Sequence, residues 1–317
     1  MGTAVGLLKE EPGSGEPRSS WMRFRNKPND ALIGYLLVAP FLIFYGLFVI
    51  WPVFRGFYIS FHEWDLVGQA THWVGLRNYN IMVSDRYFWS SMRNTVYFVI
   101  LSGPVLVALG LLLAVLINRP YRNMGVFRTL FYLPSVLSIA VITTIWIRVY
   151  NSQYGIFANW ARSLGAEPLR WLTTVELAMP AISLTTIWWT VGGNMVIFLA
   201  GLQDIPADLY EAAALDGANR WQSFWNVTVP GMRRTIGLVT ILQVISSFNI
   251  FGQVYSMTNG GPGGSTRTII MYIYERAFKF WQLGYASAMA YGLAIIMFTL
   301  SILQLKAFGR STTGEGS

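Results

Sequence analysis

Six stretches of this 317-residue chain contain no Asp, Glu, Lys or Arg: 31–54, 94–118, 129–147, 177–203, 235–258 and 280–305. A helix of about 20 residues crosses a hydrocarbon core about 30 Å thick, and every window is close to that length or beyond it. Inside such a core a backbone amide finds no water, so a spanning segment must be a helix that satisfies its own hydrogen bonds. Six membrane-spanning helices are therefore expected. Pro40, Pro52, Pro104, Pro134 and Pro180 lie in or at the ends of these windows. A bundle tolerates them where neighbours satisfy the freed carbonyls. Composition points the same way, because only 12% of the residues are charged, about half the share usual for a soluble domain.

Several function classes fall away at once. The chain has no cysteine, which removes disulfides, zinc–thiolate sites, iron–sulfur clusters and thiol nucleophiles. The net charge of +8 is not gathered in a basic stripe, so nucleic acid is not an expected partner, whereas anionic lipid is. No Gly-rich phosphate loop ending in Lys-Ser or Lys-Thr is present, so this chain is not expected to bind ATP itself. The windows hold no ionisable side chain of the kind that ion-coupled carriers use within the membrane. Energy is therefore expected from a partner. No carboxylate pair or Ser–His arrangement falls in a window, and His62 and His72 sit in a loop where a solvated surface role is expected. An enzyme is not expected.

Residues 1–30 lack the apolar core and small-residue cleavage site of a signal peptide. They are expected to form a mostly disordered cytoplasmic tail with a basic patch at Arg23, Arg25 and Lys27. Lysine and arginine in short loops set orientation. The loop 119–128 carries Arg119, Arg122 and Arg128 with no acid, which places it and both termini inside. Loops 55–93, 148–176 and 259–279 are then outside. The run Asn259-Gly260-Gly261-Pro262-Gly263-Gly264 must be a tight irregular turn, since it joins glycines that accept positive φ to a fixed proline. Beyond it, Glu275 and Lys279 have the i,i+4 spacing of a short amphipathic helix.

The inner loop 204–234 has the pattern of a helix, a glycine turn and a second helix. Pro206 suits a first helical turn, and Asp204 and Asp208 put negative charge at the positive end of the helix dipole. Residues 207–215 are strong helix formers that stop at Gly217. Asn219 with Gln222 has capping-box spacing, and Pro230 is expected to end the second arm, which carries Trp221, Phe224 and Trp225. The hairpin either lies on the bilayer or docks into a groove of another protein. An acidic, alanine-rich first arm fits the groove better than a membrane surface, where Lys and Arg usually line the polar face.

Uncharged polar side chains concentrate in the fourth window, at Thr185, Thr186, Trp188, Trp189, Thr190 and Asn194, and in the fifth, at Gln243, Ser246, Ser247, Asn249 and Gln253. Amides and hydroxyls can hydrogen-bond sugar hydroxyls, and aromatic rings can stack on pyranose faces. The same groups also join helices to one another within membranes, and both readings stand.

Glu211-Ala212-Ala213, Asp216-Gly217-Ala218 and Val229-Pro230 resemble the EAA loop of inner-membrane permease subunits of ATP-binding-cassette (ABC) importers. Thr258-Asn259-Gly260-Gly261-Pro262 with Ser265-Thr266, and Val74-Gly75-Leu76-Arg77-Asn78-Tyr79, are similar to the carbohydrate-uptake branch, and within it to the type of the larger maltose permease subunit. The similarity covers roughly residues 30–308. Arg233-Arg234-Thr235 departs from it where many relatives carry a second proline, as does Val229 where leucine is commoner. The resemblance implies an all-α membrane protein of the type I ABC importer permease fold. Its six-helix domain would be 31–308 between tails 1–30 and 309–317, with a cytoplasmic coupling helix in loop 204–234. It implies that Glu211, Ala212, Ala213, Asp216, Gly217, Ala218 and Pro230 meet a separate ATPase, which holds ATP and Mg. It also implies a second, non-identical permease subunit, two ATPase subunits and an extracytoplasmic solute-binding protein. The substrate path implied is Trp189, Thr190, Gly193, Asn194, Gln243, Ser246, Ser247 and Asn249. The cargo would be a sugar or oligosaccharide, with a polyol, glycerol phosphate or acidic oligosaccharide as the alternative.

Overall fold

A computed structural model describes residues 28–64, 71–118 and 124–309. The basic patch at Arg23, Arg25 and Lys27, the loop residues Arg119 and Arg122, and nearly all of both tails lie outside the described residues. The chain divides into two units, Met1–Phe54 and Arg55–Ser317. In the first, α1 (Pro28–Tyr45) passes through a π-helical turn at Gly46–Ile50 into α2 (Trp51–Ser60). The wide turn has a local cause. Proline lacks an N–H and its ring crowds the carbonyl four residues back, and Pro52 lies two residues past the turn, so the carbonyl it crowds, that of Phe48, is inside it. The amide of Trp51 reaches the Gly46 carbonyl, five residues back, so the helix takes up the strain by widening rather than by breaking.

In the second unit α2 leads into a small antiparallel hairpin, β1 (His62–Trp64) with β2 (Thr71–Trp73), and then α3 (Arg77–Ser84). Asn78 clamps this corner, its Nδ2 donating to the carbonyls of Ser60 at 2.9 Å and His62 at 3.0 Å. His62 is not the solvated side chain expected. It is buried, with Nδ1 at 2.8 Å from the Tyr58 carbonyl and its ring edge-on to Trp73. His72 is exposed.

α4 (Arg86–Ile117) starts well before its uncharged window, because Asp85 caps it by accepting from the amide of Tyr87 at 2.8 Å. The Asp85 carboxyl also accepts from the hydroxyls of Tyr272 at 2.5 Å and Tyr285 at 2.6 Å. Burial pushes its pKa up, but these bonds together with the Tyr87 and Phe88 amides outweigh burial and hold it below the usual value. The third window is not one straight span. It is α5 (Met124–Val136) and α6 (Ile139–Val149), bent by 97° at the two residues between them. Pro134 sits in the last turn of α5, and Ser138 is extended with ψ 150°. Next come α7 (Ile156–Ser163) and α8 (Val175–Gln203), the latter continuous through Pro180.

The inner segment is built from α9 (Ala207–Leu215), α10 (Arg220–Ser223), a π-helical turn at Phe224–Thr228 and α11 (Val229–Gly231). Pro230 does not end the second arm. The amide of Val229 bonds the Phe224 carbonyl, five back, and the widened turn carries the proline inside a helical run that stops only at Met232, just as at Pro52. The fifth window is also divided. α12 (Arg233–Phe248) has 16 residues, too short at about 1.5 Å each to cross a core of about 30 Å alone. After a break at 249–251, α13 (Gly252–Met257) resumes. α14 (Ile269–Tyr274), a π-helical turn at Glu275–Lys279 and α15 (Leu283–Gly309) complete the chain. The expected amphipathic helix at 275–279 is thus a π turn, with Glu275 paired to Lys279 at 3.6 Å and to Arg267 at 3.7 Å. Among the described residues four helices are long and apolar enough to cross a membrane, or five if the bent pair counts as one.

α8 is the axis of the second unit, packed on α4 and α5, while α12 packs on α4 and α15 and α13 on α6. The approach of α5 to α8 depends on Gly192, where a Cβ would collide with the carbonyl of Phe131 and the main chain of Tyr132. At the end opposite α9 and α10, the turn 258–264 takes up positive φ at Asn259, Gly260, Gly263 and Gly264. Its carbonyls are not left open. Asn94 Nδ2 on α4 donates to Gly264 at 2.8 Å and Arg267 at 3.1 Å, and Thr266 donates to the Gly261 carbonyl at 2.7 Å.

Candidate functional site

The breaks in the third and fifth windows meet. Ile139, the first residue after the bend, and Ile250, Phe251 and Gly252 at the second break line one cavity of about 470 Å³. A Cβ on Gly252 would run into the side chain of Ile139. Backbone that leaves the helix at membrane depth is tolerated where it is enclosed by protein or borders a cavity. Both conditions hold here, because the loosened groups find partners. Asn249 Nδ2 donates to the Ile245 carbonyl at 2.8 Å, and the hydroxyl of Thr268 donates to the Ile250 carbonyl at 3.0 Å.

Most of the rest of the lining comes from α8 and α12, with Phe98 from α4, Asn249 at the break and Gln253 from α13. Trp189, Thr190, Asn194, Gln243, Ser246, Ser247 and Asn249 all border the cavity, seven residues that the sequence pattern selected. Gly193 is the exception: it does not line the cavity, and a Cβ there would meet open space. On α8 it stands between Trp189 and Thr190, on the same face as the lining residues, but it has no side chain to add to the wall. Thr186 and Gln253 also line the cavity, whereas Thr185 is buried behind it, bonded to the Ala181 carbonyl and to Tyr150. Trp188 stands apart as well, exposed and edge-on to Trp146. Apolar Phe98, Ile139, Leu242 and Phe251 complete the wall. No search for hydrogen-bonding side chains would have found them, and only the chain break at 249–251 signals Phe251.

The two readings left open for these polar groups divide between residues. Asn194 Nδ2 donates to Gln243 Oε1 at 3.0 Å across α8 and α12, and Gln243 Nε2 donates to Ser247 Oγ at 3.0 Å. This chain joins helices. Thr190 donates to the Thr186 carbonyl of its own helix at 2.8 Å. Trp189 differs, since its indole N–H is buried with no acceptor among the described residues, an arrangement that costs about 1–3 kcal/mol until one is supplied. Among the described residues no charged side chain lines the cavity, and Arg148, in the last turn of α6, does not border it.

The second candidate region is the α9–α10 hairpin. Ala218 N–H bonds the Ala213 carbonyl at 2.9 Å and Gly217 N–H bonds that of Ala214 at 3.1 Å. These are the paired bonds of a helix C-cap in which the residue after the cap is left-handed, and Gly217 has φ +79°. The expected capping box forms, with Asn219 and Gln222 exchanging bonds of 2.8 and 2.9 Å. Glu211, Ala212, Asp216, Gly217 and Pro230 are exposed, and Ala213 and Ala218 half-buried. Leu215 is 90% exposed and Trp221 69%. A hairpin tied this firmly to its own backbone presents apolar side chains outward, as a protein-binding surface does.

Apolar helices around a part-open cavity of mixed polar and apolar lining, with a capped hairpin beyond α8, have the form of a multi-pass membrane transport subunit. A family model described as "Binding-protein-dependent transport system inner membrane component" matches residues 106–308. The chain is 36% identical over 283 residues to the sulfoquinovosyl glycerol transport system permease protein of Agrobacterium fabrum, covering 89% of this chain and 90% of that one. It is 35% identical over 284 residues to the trehalose/maltose transport system permease protein of Thermococcus litoralis, covering 88% and 95%. A chain of a bacterial alginate ABC transporter, crystallised in complex with an alginate pentasaccharide-bound periplasmic protein, superposes with a TM-score of 0.79 at 22% identity over 92% of this chain and 99% of that one. The chain belongs to this family: it is a membrane permease subunit of an ABC importer.

Proposed function

We propose that this subunit passes a neutral, hydroxyl-rich sugar or oligosaccharide through the cavity between α8 and the α12–α13 break. The observation that carries the reading is the lining itself, which offers amides, hydroxyls, the rings of Phe98, Trp189 and Phe251 and, among the described residues, no charge. The named relatives divide on this point, since trehalose and maltose are neutral while sulfoquinovosyl glycerol and alginate carry negative charge. An anion taken out of water calls for a cation along its path, and this wall supplies none. A polyol would fit the same wall, and competition by polyols and sugars separates the two.

Energy enters at the opposite end of α8. A separate ATPase, holding ATP and Mg, takes the α9–α10 hairpin into a groove, with Glu211 fixing its orientation by a charge pair and Ala212 and Ala213 allowing close approach. Asp216, Gly217 and Ala218 form the turn between the arms, and Pro230 lies in the exit. A second, non-identical permease subunit and a second ATPase complete the assembly. The solute-binding protein docks at the end carrying the 258–264 turn, and both termini lie in the cytoplasm.

Reconstitution in vesicles with the co-purifying subunits tests this. Uptake of a labelled sugar should require the ATPase and the binding protein. Uptake by this chain alone would refute the reading. Glu211→Lys and Gly217→Pro should each abolish cargo-stimulated ATP hydrolysis while the subunit stays folded, because proline cannot reach φ +79° and the reversed charge would face a basic partner. Normal stimulated hydrolysis in both variants would remove the coupling assignment. Trp189→Ala should weaken competition by the sugar about tenfold, the scale of one lost buried hydrogen bond with its stacking.

A further inference from the structure

At the end of the bundle that carries α9 and α10, a groove of about 370 Å³ runs between α12 and α15. Its mouth is formed by Arg233 and Arg234 and its walls by Gly237, Leu238, Leu305 and Phe308. The floor exists because Gly237 has no side chain: a Cβ there would lie 3.0 Å from the Phe308 ring, which occupies that place. Leu238 and Leu305 are 52% and 59% exposed, so the walls are open to whatever surrounds the helices. Among the described residues no acidic side chain lines the groove, and Arg234 makes no ion pair. Lys306, exposed in the last turn of α15, adds a third cation at this level.

Two cations above an apolar slot match the chemistry of one amphiphile. We propose that the groove binds an anionic phospholipid, its phosphodiester held by the guanidinium groups of Arg233 and Arg234 and one acyl chain laid along Leu238, Ile241 and Leu305. Guanidinium groups suit phosphate because their N–H pairs match its oxygens in a fork. The eight steps from Arg233 to Ile241 descend about 12 Å along the helix, close to the depth of one leaflet's hydrocarbon, about half of 30 Å. Basic pockets between membrane helices take up such headgroups on general electrostatic grounds. On the orientation proposed above the leaflet is cytoplasmic. The inference itself needs only membrane insertion, not the cargo or the coupling assignment.

The test uses the full chain with its co-purifying subunits in nanodiscs of phosphatidylcholine doped with phosphatidylglycerol, with lipid retained after detergent extraction read by native mass spectrometry. Phosphatidylglycerol should be retained in preference. Each Arg→Gln change should lower that preference roughly fivefold and the pair roughly 25-fold, whereas Arg233→Lys with Arg234→Lys should keep most of it. Leu305→Trp fills the slot with the arginines intact, so it should displace the lipid and gives a second reading if the double glutamine variant fails to fold. Equal retention of the two lipids by the unaltered chain would overturn the proposal. So would unchanged preference in the glutamine and Leu305→Trp variants, full competition by soluble glycerol phosphate, or a helix of the second permease subunit seated in the groove.

Discussion

α8 and α12 wall the same cavity, yet α8 runs unbroken for 29 residues and α12 stops after 16. Their composition does not explain it, since both windows mix apolar, small and polar uncharged residues, and α8 contains the proline. What differs is where each finds hydrogen-bond partners. α8 lies at the centre with helices on several sides, and its own ladder satisfies its backbone. At 249–251 the chain leaves the helix because other groups take over, with Asn249 bonding the Ile245 carbonyl and Thr268 the Ile250 carbonyl. Continuity in α8 is a matter of packing, and interruption after α12 is a matter of substitute hydrogen bonds. The two helices should therefore fail in different ways.

The largest effect belongs to added bulk in α8. Gly192→Val drives a side chain into main-chain atoms of α5, which cannot rotate away, and should cost about 3 kcal/mol. Thermal unfolding of the solubilised subunit reads this, and an unchanged midpoint would mean that α5 and α8 do not approach as described. Next comes the break. Thr268→Val keeps shape but leaves the buried Ile250 carbonyl without its donor, a loss of about 1–2 kcal/mol. Faster amide exchange confined to 249–257 should accompany it. If exchange rises evenly along α12 instead, the break is not held by that bond.

A smaller change is expected from Gln243→Leu, which cuts the tie between α8 and α12. Hydrogen bonds between membrane helices average about 0.6 kcal/mol, so stability should barely move while sugar competition weakens. A large stability loss with unchanged competition would assign Gln243 to packing alone. Smallest is the acid response of the far end. Asp85 titrates below its unfolded value near 3.9, so it stabilises the fold above that pH, and the contribution fades as pH falls through the lower folded value. Asp85→Asn should flatten the acid limb of the stability profile and leave neutral pH little changed.

Much of the site was legible in the chain. Charge-free windows located the helices that matter, and seven of the eight path residues border one cavity because period-3.6 spacing puts i, i+1, i+4 and i+5 on neighbouring faces of a helix. Gly193, at i+4 from Trp189, shares that face and lacks only a side chain to place on the wall. The hairpin was readable in detail, as Asn219, Gln222 and Gly217 act within one or two turns of themselves. Pro230 misled because a π turn is invisible in composition, and His62 because burial in a hairpin depends on Trp73, eleven residues away.

Residue order alone places the chain in a membrane, leaves its helical windows without charge and caps the α9–α10 hairpin. These follow from local hydrogen bonding and from the cost of exposing polar groups to hydrocarbon. The tertiary structure alone decided that the third window bends by 97°, that the fifth is interrupted, and that the two breaks face each other across one space. A helix can be abandoned within a membrane only where distant groups stand ready to replace its bonds, and those groups, Thr268 for Ile250 among them, are brought close by the fold.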